Sequence, residues 1–507
     1  MKFFWRSNVF THRLLNLPLL ACVFLAGCAA SKQYNPEKKY SAAELRQDFD
    51  VLWQTYQQVH PSLYWYNSQD TVDFYFNALK NSLTDSLTEM AFRNKVAYAV
   101  EKIKCGHSSV RLSRDFGRYA ANKKNDSAFP IYFKTWGGDS LVITRNVLRN
   151  DSDLVRGTIV KSINGLPAKT VIETMAALIS TDGFNNNFKY QIMSNSFPTY
   201  YHYAFGFSPQ YSIEYIDSMG VDKTKLVANY NPQKDTVVRQ RRFPAGPPQR
   251  KLTRKEQRQF EQLYSRSLSI DSANNLAYLQ VHTFSKGGLG KFFRKTFKSL
   301  KSAKVPNLVI ELRENGGGNI SKSTALTRYL TDHPFNVADT VAARNFKYPF
   351  PKNVKKGFLY KMEHWFVSGT KHKDGRYHFK DLENKFYKPF KKYHYDGQVY
   401  IITGGYTFSA SILFLNPLKG QKNITIVGEE TGGAAYGNSA VNIPEIELPN
   451  SKIRVRLPLY RMVLSKNLPH NGHGILPDIA VPPSSVFLRK ALDPKMEKVK
   501  ELIRVKN

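Results

Sequence analysis

Four short apolar runs recur after residue 270: "NLAYLQVHTF", "NLVIELREN", "GQVYIITGG" and "NITIVGEE", with helical segments between them. Runs apolar at nearly every position, instead of every second one, are strands covered on both faces. Their alternation with helices predicts an α/β layer on a largely parallel sheet. In such sheets ligands bind beyond the carboxyl ends of the strands, so the residues that close these runs are the first candidates for chemistry.

Two of the strand ends carry unusual turns. In "LVIELRENGGGNI", Asn315 is followed by Gly316, Gly317 and Gly318. Backbone amides there can approach a ligand without side-chain obstruction, as an oxyanion hole requires. A plain tight turn or a phosphate cradle is the alternative, although the Lys-Ser or Lys-Thr of a P-loop and the G-x-G-x-x-G of a dinucleotide site are both missing. In "GGYTFSASILFLNPLKG", Ser409 and Ser411 stand at the mouth of an apolar helix. The positive end of the helix dipole favours negative charge there, and the Ala410 N–H is a second donor. Thr407 and Ser411 occupy the glycine positions of a G-x-S-x-G elbow, which argues against an α/β-hydrolase. On these residues alone, Ser409 reads either as a helix cap or as a nucleophile still in need of a base.

The rest of the chain frames this layer. With 507 residues and 13% aromatics a large core can be buried. The net charge of +34 suits an anionic lipid or saccharide surface, or a plain solvated one. No zinc-finger spacing, basic heptad or aromatic RNA-binding signature accompanies it, so a nucleic-acid partner is not expected. Residues 1–28 read as a secretory signal, with Lys2, Arg6 and Arg13 ahead of an apolar run from Leu14 to Leu25. Its ending "LAGC" resembles a bacterial lipobox, which would make Cys28 the lipidated first residue of an envelope protein anchored in a bilayer. Cys22 leaves with the signal, and Cys105 alone forms no internal disulfide.

Residues 29–115 read as helical: Leu45, Phe49, Leu52 and Tyr56 form the stripe of an amphipathic helix stopped at Pro61, with further helices from Thr71 to Leu83 and from Leu87 to Lys104. Residues 116–227 carry short β runs, among them "GTIVKSINGLPAKTV" with its Asn164-Gly165 turn. Residues 228–270 are basic, proline-rich and weakly periodic, and read as a linker or insertion. Residues 271–485 form the α/β domain, interrupted at 333–395 by a lysine- and aromatic-rich stretch that suits a lid or a decorated edge, and 486–507 close the chain as a helix.

Four stretches in order, "LVIELRENGGG", "YIITGGYTFSAS", "ITIVGEETGGAAYGNS" and "GHGILPDIAV", resemble the catalytic core of the C-terminal processing (tail-specific) serine peptidases and their tricorn-like relatives. The resemblance implies a crotonase-like fold, and "VRGTIVKSINGLPAKTV" resembles the PDZ-like module common in that family. It implies Ser409 as nucleophile, with Ala410 and Gly317 or Gly318 as the oxyanion hole. The lysine base of the processing branch is missing: Ala434 stands in its place, and no lysine lies between Lys422 and Lys452. The tricorn-like branch takes its base from an amino-terminal histidine, which "CGHSSV" supplies as His107. An imidazole titrating near neutrality can take the serine proton and return it to the leaving amine.

The family's carboxylate would fall at Asn471, which can align an imidazole but brings no charge, so Glu429 or Glu430 is the expected substitute. The implied activity is hydrolysis of peptides or unfolded tails through an acyl-enzyme, with no metal or cofactor. A catalytically silent relative that binds peptide or an apolar ligand, and an esterase on the same machinery, are the alternatives.

Overall fold

The computed structural model describes residues 34–123, 128–148, 150–231, 252–360, 362, 370–383 and 385–506. The expected signal segment with Cys28, and residues 232–251 of the expected linker, lie outside them. Among the described residues no helix is long and apolar enough to cross a membrane.

Helix α1 (Ala42–Val59) starts at a capping box, in which the Ser41 hydroxyl accepts from the Glu44 amide and the Glu44 carboxylate accepts from the Ser41 amide. Its predicted stripe of Leu45, Phe49, Leu52 and Tyr56 is buried. Helices α2 (Gln69–Asn81) and α3 (Glu89–Glu101) are capped by Ser68 and Thr88. These helices do not close on a core of their own. Phe49, Tyr56, Phe76 and Phe92 belong to the same apolar cluster as one face of the central sheet.

Residues 131–228 form a six-stranded antiparallel sheet with helices α4 (Ala168–Ala176) and α5 (Asn187–Phe205) against it. Asn164 and Gly165, with φ of 53° and 75°, make the tight hairpin turn expected of that dipeptide. This part has a separate core, built on Phe133, Ile143, Ile163, Phe197 and Ile213.

The central sheet has six strands whose spatial order follows the chain: β1 (Arg266–Asp271), β2 (Leu276–Val281), β3 (Asn307–Glu311), β4 (Gln398–Thr403), β5 (Ile424–Gly428) and β6 (Ile479–Ala480). Only β1 and β2 are antiparallel; the other pairs are parallel, as the apolar runs predict. Both faces are covered. Leu308, Ile310, Val399, Ile401 and Ile426 meet Phe293 and Phe297 of helix α7 (Leu289–Ser302), which follows helix α6 (Arg254–Ser265) in the chain. Val309, Tyr400, Ile402 and Val427 meet Val499 and Ile503 of the C-terminal helix (Pro494–Lys506). Two-residue alternation between two apolar environments is the reason these strands read as continuous apolar runs.

Two segments differ from the sequence reading. The expected linker holds α6 and β1, and a capping box of Thr253 with Glu256 starts the helix; the surrounding basic residues and prolines mask that signal. The interruption at 333–395 contributes Thr340–Ala343 and Tyr377–His378 to an antiparallel four-stranded sheet with Gly437–Ala440 and Tyr460–Val463.

Candidate active site

Beyond the carboxyl end of β4 the chain turns sharply into helix α8 (Ala410–Leu415), and Ser409 sits at the turn with φ 58° and ψ −118°. A non-glycine residue is rarely held there, and such strain collects at functional sites. Ser409 makes no capping bond. Its hydroxyl instead lies 3.0 Å from Nε2 of His107. The second serine is structural, for Ser411 is fully buried and donates to the Asn315 carbonyl at 3.0 Å.

Asn315 joins the ends of three strands. It is fully buried, and its carboxamide donates to the Val281 carbonyl at the end of β2 at 2.9 Å. Its own amide reaches the Leu312 carbonyl at 2.9 Å, and its carbonyl accepts from Phe408 at 3.1 Å. Thr407 completes the join, with its hydroxyl donating to the Leu312 carbonyl at 2.9 Å. The glycine turn thereby lies against the serine turn. A Cβ on Gly317, whose φ is +97°, would come 2.7 Å from the Ser409 Cβ and 2.8 Å from the Ala410 nitrogen.

One expectation changes here: the Gly317 N–H is already committed to the Asn315 side chain at 2.9 Å. Gly317 serves the close approach, and Gly318 and Ala410 are left as the candidate donors.

His107 arrives from the turn after α3. The strand Ser109–Arg111 that follows it pairs with Arg454–Arg456, which fixes the turn to the α/β part of the molecule. The Phe408 ring packs on the imidazole with centroids 4.9 Å apart, and a Cβ on Gly106 would meet that ring at 2.6 Å. Burial, with the Arg456 charge second, pulls the imidazole down to about 4. It is therefore neutral at pH 7, with a lone pair on Nε2 free to take the serine proton. Accepting at Nε2 requires the hydrogen on Nδ1, and that buried Nδ1 has no partner among the described residues.

The expected orienting groups do not supply that partner. Asn471 is exposed and accepts from the His473 amide at 3.0 Å within its own loop. Glu430 accepts from the Gly474 amide at 2.7 Å and pairs with His473 at 3.3 Å. Glu429 pairs with the nearly buried Lys495 of the C-terminal helix at 2.6 Å. In each case another partner claims the carboxylate or carboxamide before it can reach the imidazole.

Sequence reasoning passed over Asn315 as an organiser, although it opens the Asn-Gly-Gly-Gly run. It passed over Asp182 altogether, whose only local signal is an Asp-Gly turn dipeptide in "STDGFNN". Among the described residues no group of three or more His, Cys, Asp or Glu side chains is placed to hold a metal ion.

Residues 275–481, from the start of β2 to just beyond β6, match the profile of peptidase family S41. No curated protein matches the chain. The structure is similar to that of mature CPAF, with a TM-score of 0.63 at 13% identity over 91% of this chain and 97% of that one. It is also similar to CPAF complexed with lactacystin, with a TM-score of 0.61 at 13% identity over 92% and 98%. At that identity the likeness is one of fold. A photosystem II D1 C-terminal processing protease also matches, at a TM-score of 0.42 and 13% identity over 91% and 97%. The profile covers the very segment in which the glycine turn closes on Ser409, and through that segment the chain resembles the serine-type peptidases of family S41.

Proposed function

We propose that the chain is an endopeptidase of the tail-specific, tricorn-like type that cleaves peptides or unfolded tails through an acyl-enzyme at the cell envelope. The observation that carries this reading is the 3.0 Å approach of His107 Nε2 to the Ser409 hydroxyl. In the first step His107 takes the hydroxyl proton while Ser409 Oγ bonds to the scissile carbonyl carbon. The oxyanion so formed is held by the Ala410 and Gly318 amides. Collapse breaks the carbon–nitrogen bond, and His107 returns its proton to the departing amine. A water molecule, deprotonated by the same imidazole, then releases the acyl group and restores Ser409.

In this reading the central α/β layer is crotonase-like and the β-rich part at 116–227 is a PDZ-like module that presents the tail. Lipid on Cys28 would hold the protein at an envelope bilayer. A silent peptide-binding relative is the second reading, and what favours it is the unpartnered Nδ1 of His107.

A fluorophosphonate probe separates them. The peptidase reading expects labelling that Ser409→Ala abolishes and His107→Ala slows by at least about 100-fold, together with hydrolysis of peptides in preference to simple esters. Folded protein that neither labels nor turns over peptide or ester would be the binding protein instead. Lactacystin, with which CPAF has been solved in complex, is a second probe for the same hydroxyl.

A further inference from the structure

We infer that Asp182 is the positioning residue for His107, a carboxylate delivered from the β-rich part of the chain to the place where Asn471 brings none. The inference rests on the reading of Ser409 and His107 as nucleophile and base.

The loop that carries Asp182 is wedged between the two segments that matter. On one side the Gly183 amide donates to the Lys104 carbonyl at 3.0 Å, and the Gly106 amide, one residue before the imidazole, donates to Asp182 Oδ1 at 2.8 Å. On the other side the Phe184 amide donates to the carbonyl of Gly472, the neighbour of Asn471, at 3.0 Å. Thr181 and Asn185 close the loop on itself at 2.9 Å, and the Asn185 carboxamide donates to the Thr431 carbonyl. Hydrogen bonds on three sides thus hold the carboxylate beside the turn of the base.

The carboxylate is also incomplete. Asp182 is 1% exposed, and its Oδ2 is buried with no partner among the described residues, as is Nδ1 of His107. One is an acceptor and the other, in the tautomer that serves Ser409, a donor. A buried polar atom left unpaired is costly, so an arrangement that joins them is favoured. No direct bond joins them here. A single bridging water would satisfy both the buried donor and the buried acceptor.

Around this pair stand Cys105 on the same turn, the Tyr66 hydroxyl, which donates to the Gly437 carbonyl at 3.4 Å, Tyr436, and Arg456 facing the imidazole. Burial pushes the Asp182 carboxyl up to about 7, against the pull of the Gly106 bond. The Asp182 carboxyl therefore holds its proton below neutrality and loses it as pH rises through about 7. The anion left behind stabilises the imidazolium that forms when Ser409 is deprotonated.

The experiment measures the rate of fluorophosphonate labelling of the full chain between pH 4 and 9, for the wild type, Asp182→Asn, Asp182→Glu and Ser409→Ala. The wild type should gain reactivity through pH about 7. Asp182→Asn should lower the maximal rate on the order of 100-fold or more, leave the probe concentration for half-maximal rate unchanged, and move the acid limb down toward the range of a lone buried imidazole. Asp182→Glu, which keeps the charge, should retain the limb and recover at least a tenth of the rate.

A wild-type rate and an unmoved limb in Asp182→Asn would overturn the inference while leaving Ser409 as nucleophile, since Ser409→Ala stays silent. A wild type that does not label at all overturns both. Should the variants fail to fold, the Nδ1 proton resonance of His107 in the wild type decides: it should move with pH as Asp182 titrates, and a constant resonance sinks the idea.

Discussion

The Ser411 hydroxyl donates to the Asn315 carbonyl at 3.0 Å, and this bond distinguishes two serines that the sequence sets side by side. Ser411→Ala should keep fluorophosphonate reactivity and lose about 1 kcal/mol of stability, because the Asn315 carbonyl still accepts from Phe408. Denaturant titration beside labelling checks both halves of this statement. Loss of labelling with stability intact would give the reactive role to the wrong serine here.

Gly317→Ala tests the contact between the two turns. Its new methyl group would stand 2.7 Å from the Ser409 Cβ at a φ of +97°. A cost of about 2–4 kcal/mol follows from overpacking together with backbone strain, and labelling of Ser409 should be lost even at temperatures where the variant remains folded.

Asn315→Ala should be worse than its size suggests. It removes the donor to the Val281 carbonyl and the acceptor of the Gly317 amide, both buried. About 2–4 kcal/mol should be lost, with activity falling further because the glycine turn is released from the serine turn. Calorimetry and peptide hydrolysis measured together would show whether the two losses separate.

Glu101 makes stability depend on acid. Burial works to raise its carboxyl, yet Lys189 at 2.6 Å and Lys104 at 2.5 Å outweigh it and hold the group at about 2. With the folded value depressed, the stabilisation is complete above the ordinary carboxylate range and drains away as pH falls from about 4.5 towards 2. Burial also lowers the Lys189 ammonium, so the net contribution is about 2 kcal/mol. Glu101→Gln should lose that amount at pH 7 and flatten the acid dependence of the melting temperature.

Cys28→Ser tests the anchor. The variant should move from the membrane to the soluble envelope fraction with peptidase activity per molecule unchanged; a membrane-bound variant would mean that another part of the chain holds the surface.

What could be read in advance followed from local regularities. The stripe of α1, the doubly buried strands, the Asn164-Gly165 turn and the Ser409 and His107 motifs each declare themselves within a few residues. Helix α6 was hidden because its capping box lies among basic residues and prolines that suggest a linker. Glu430 and Asn471 were misplaced for a deeper reason: both bond to the loop at 471–474, and no pattern in the chain announces which turn will claim a side chain first. Asp182 was invisible because its meaning comes entirely from the Gly106 amide, which lies 76 positions earlier.

The core shared by α1 to α3 and the central sheet has a consequence for the newly made protein. The segment that matches the peptidase family starts after residue 270 and holds Ser409 but not His107. On the proposed mechanism, that segment excised alone would lack its proton acceptor. During synthesis the imidazole emerges 302 positions ahead of the alcohol it meets, so on the proposed mechanism no ribosome-bound intermediate short of Ser409 can cut its neighbours. On that mechanism cleavage begins only when the two ends of the fold have come together.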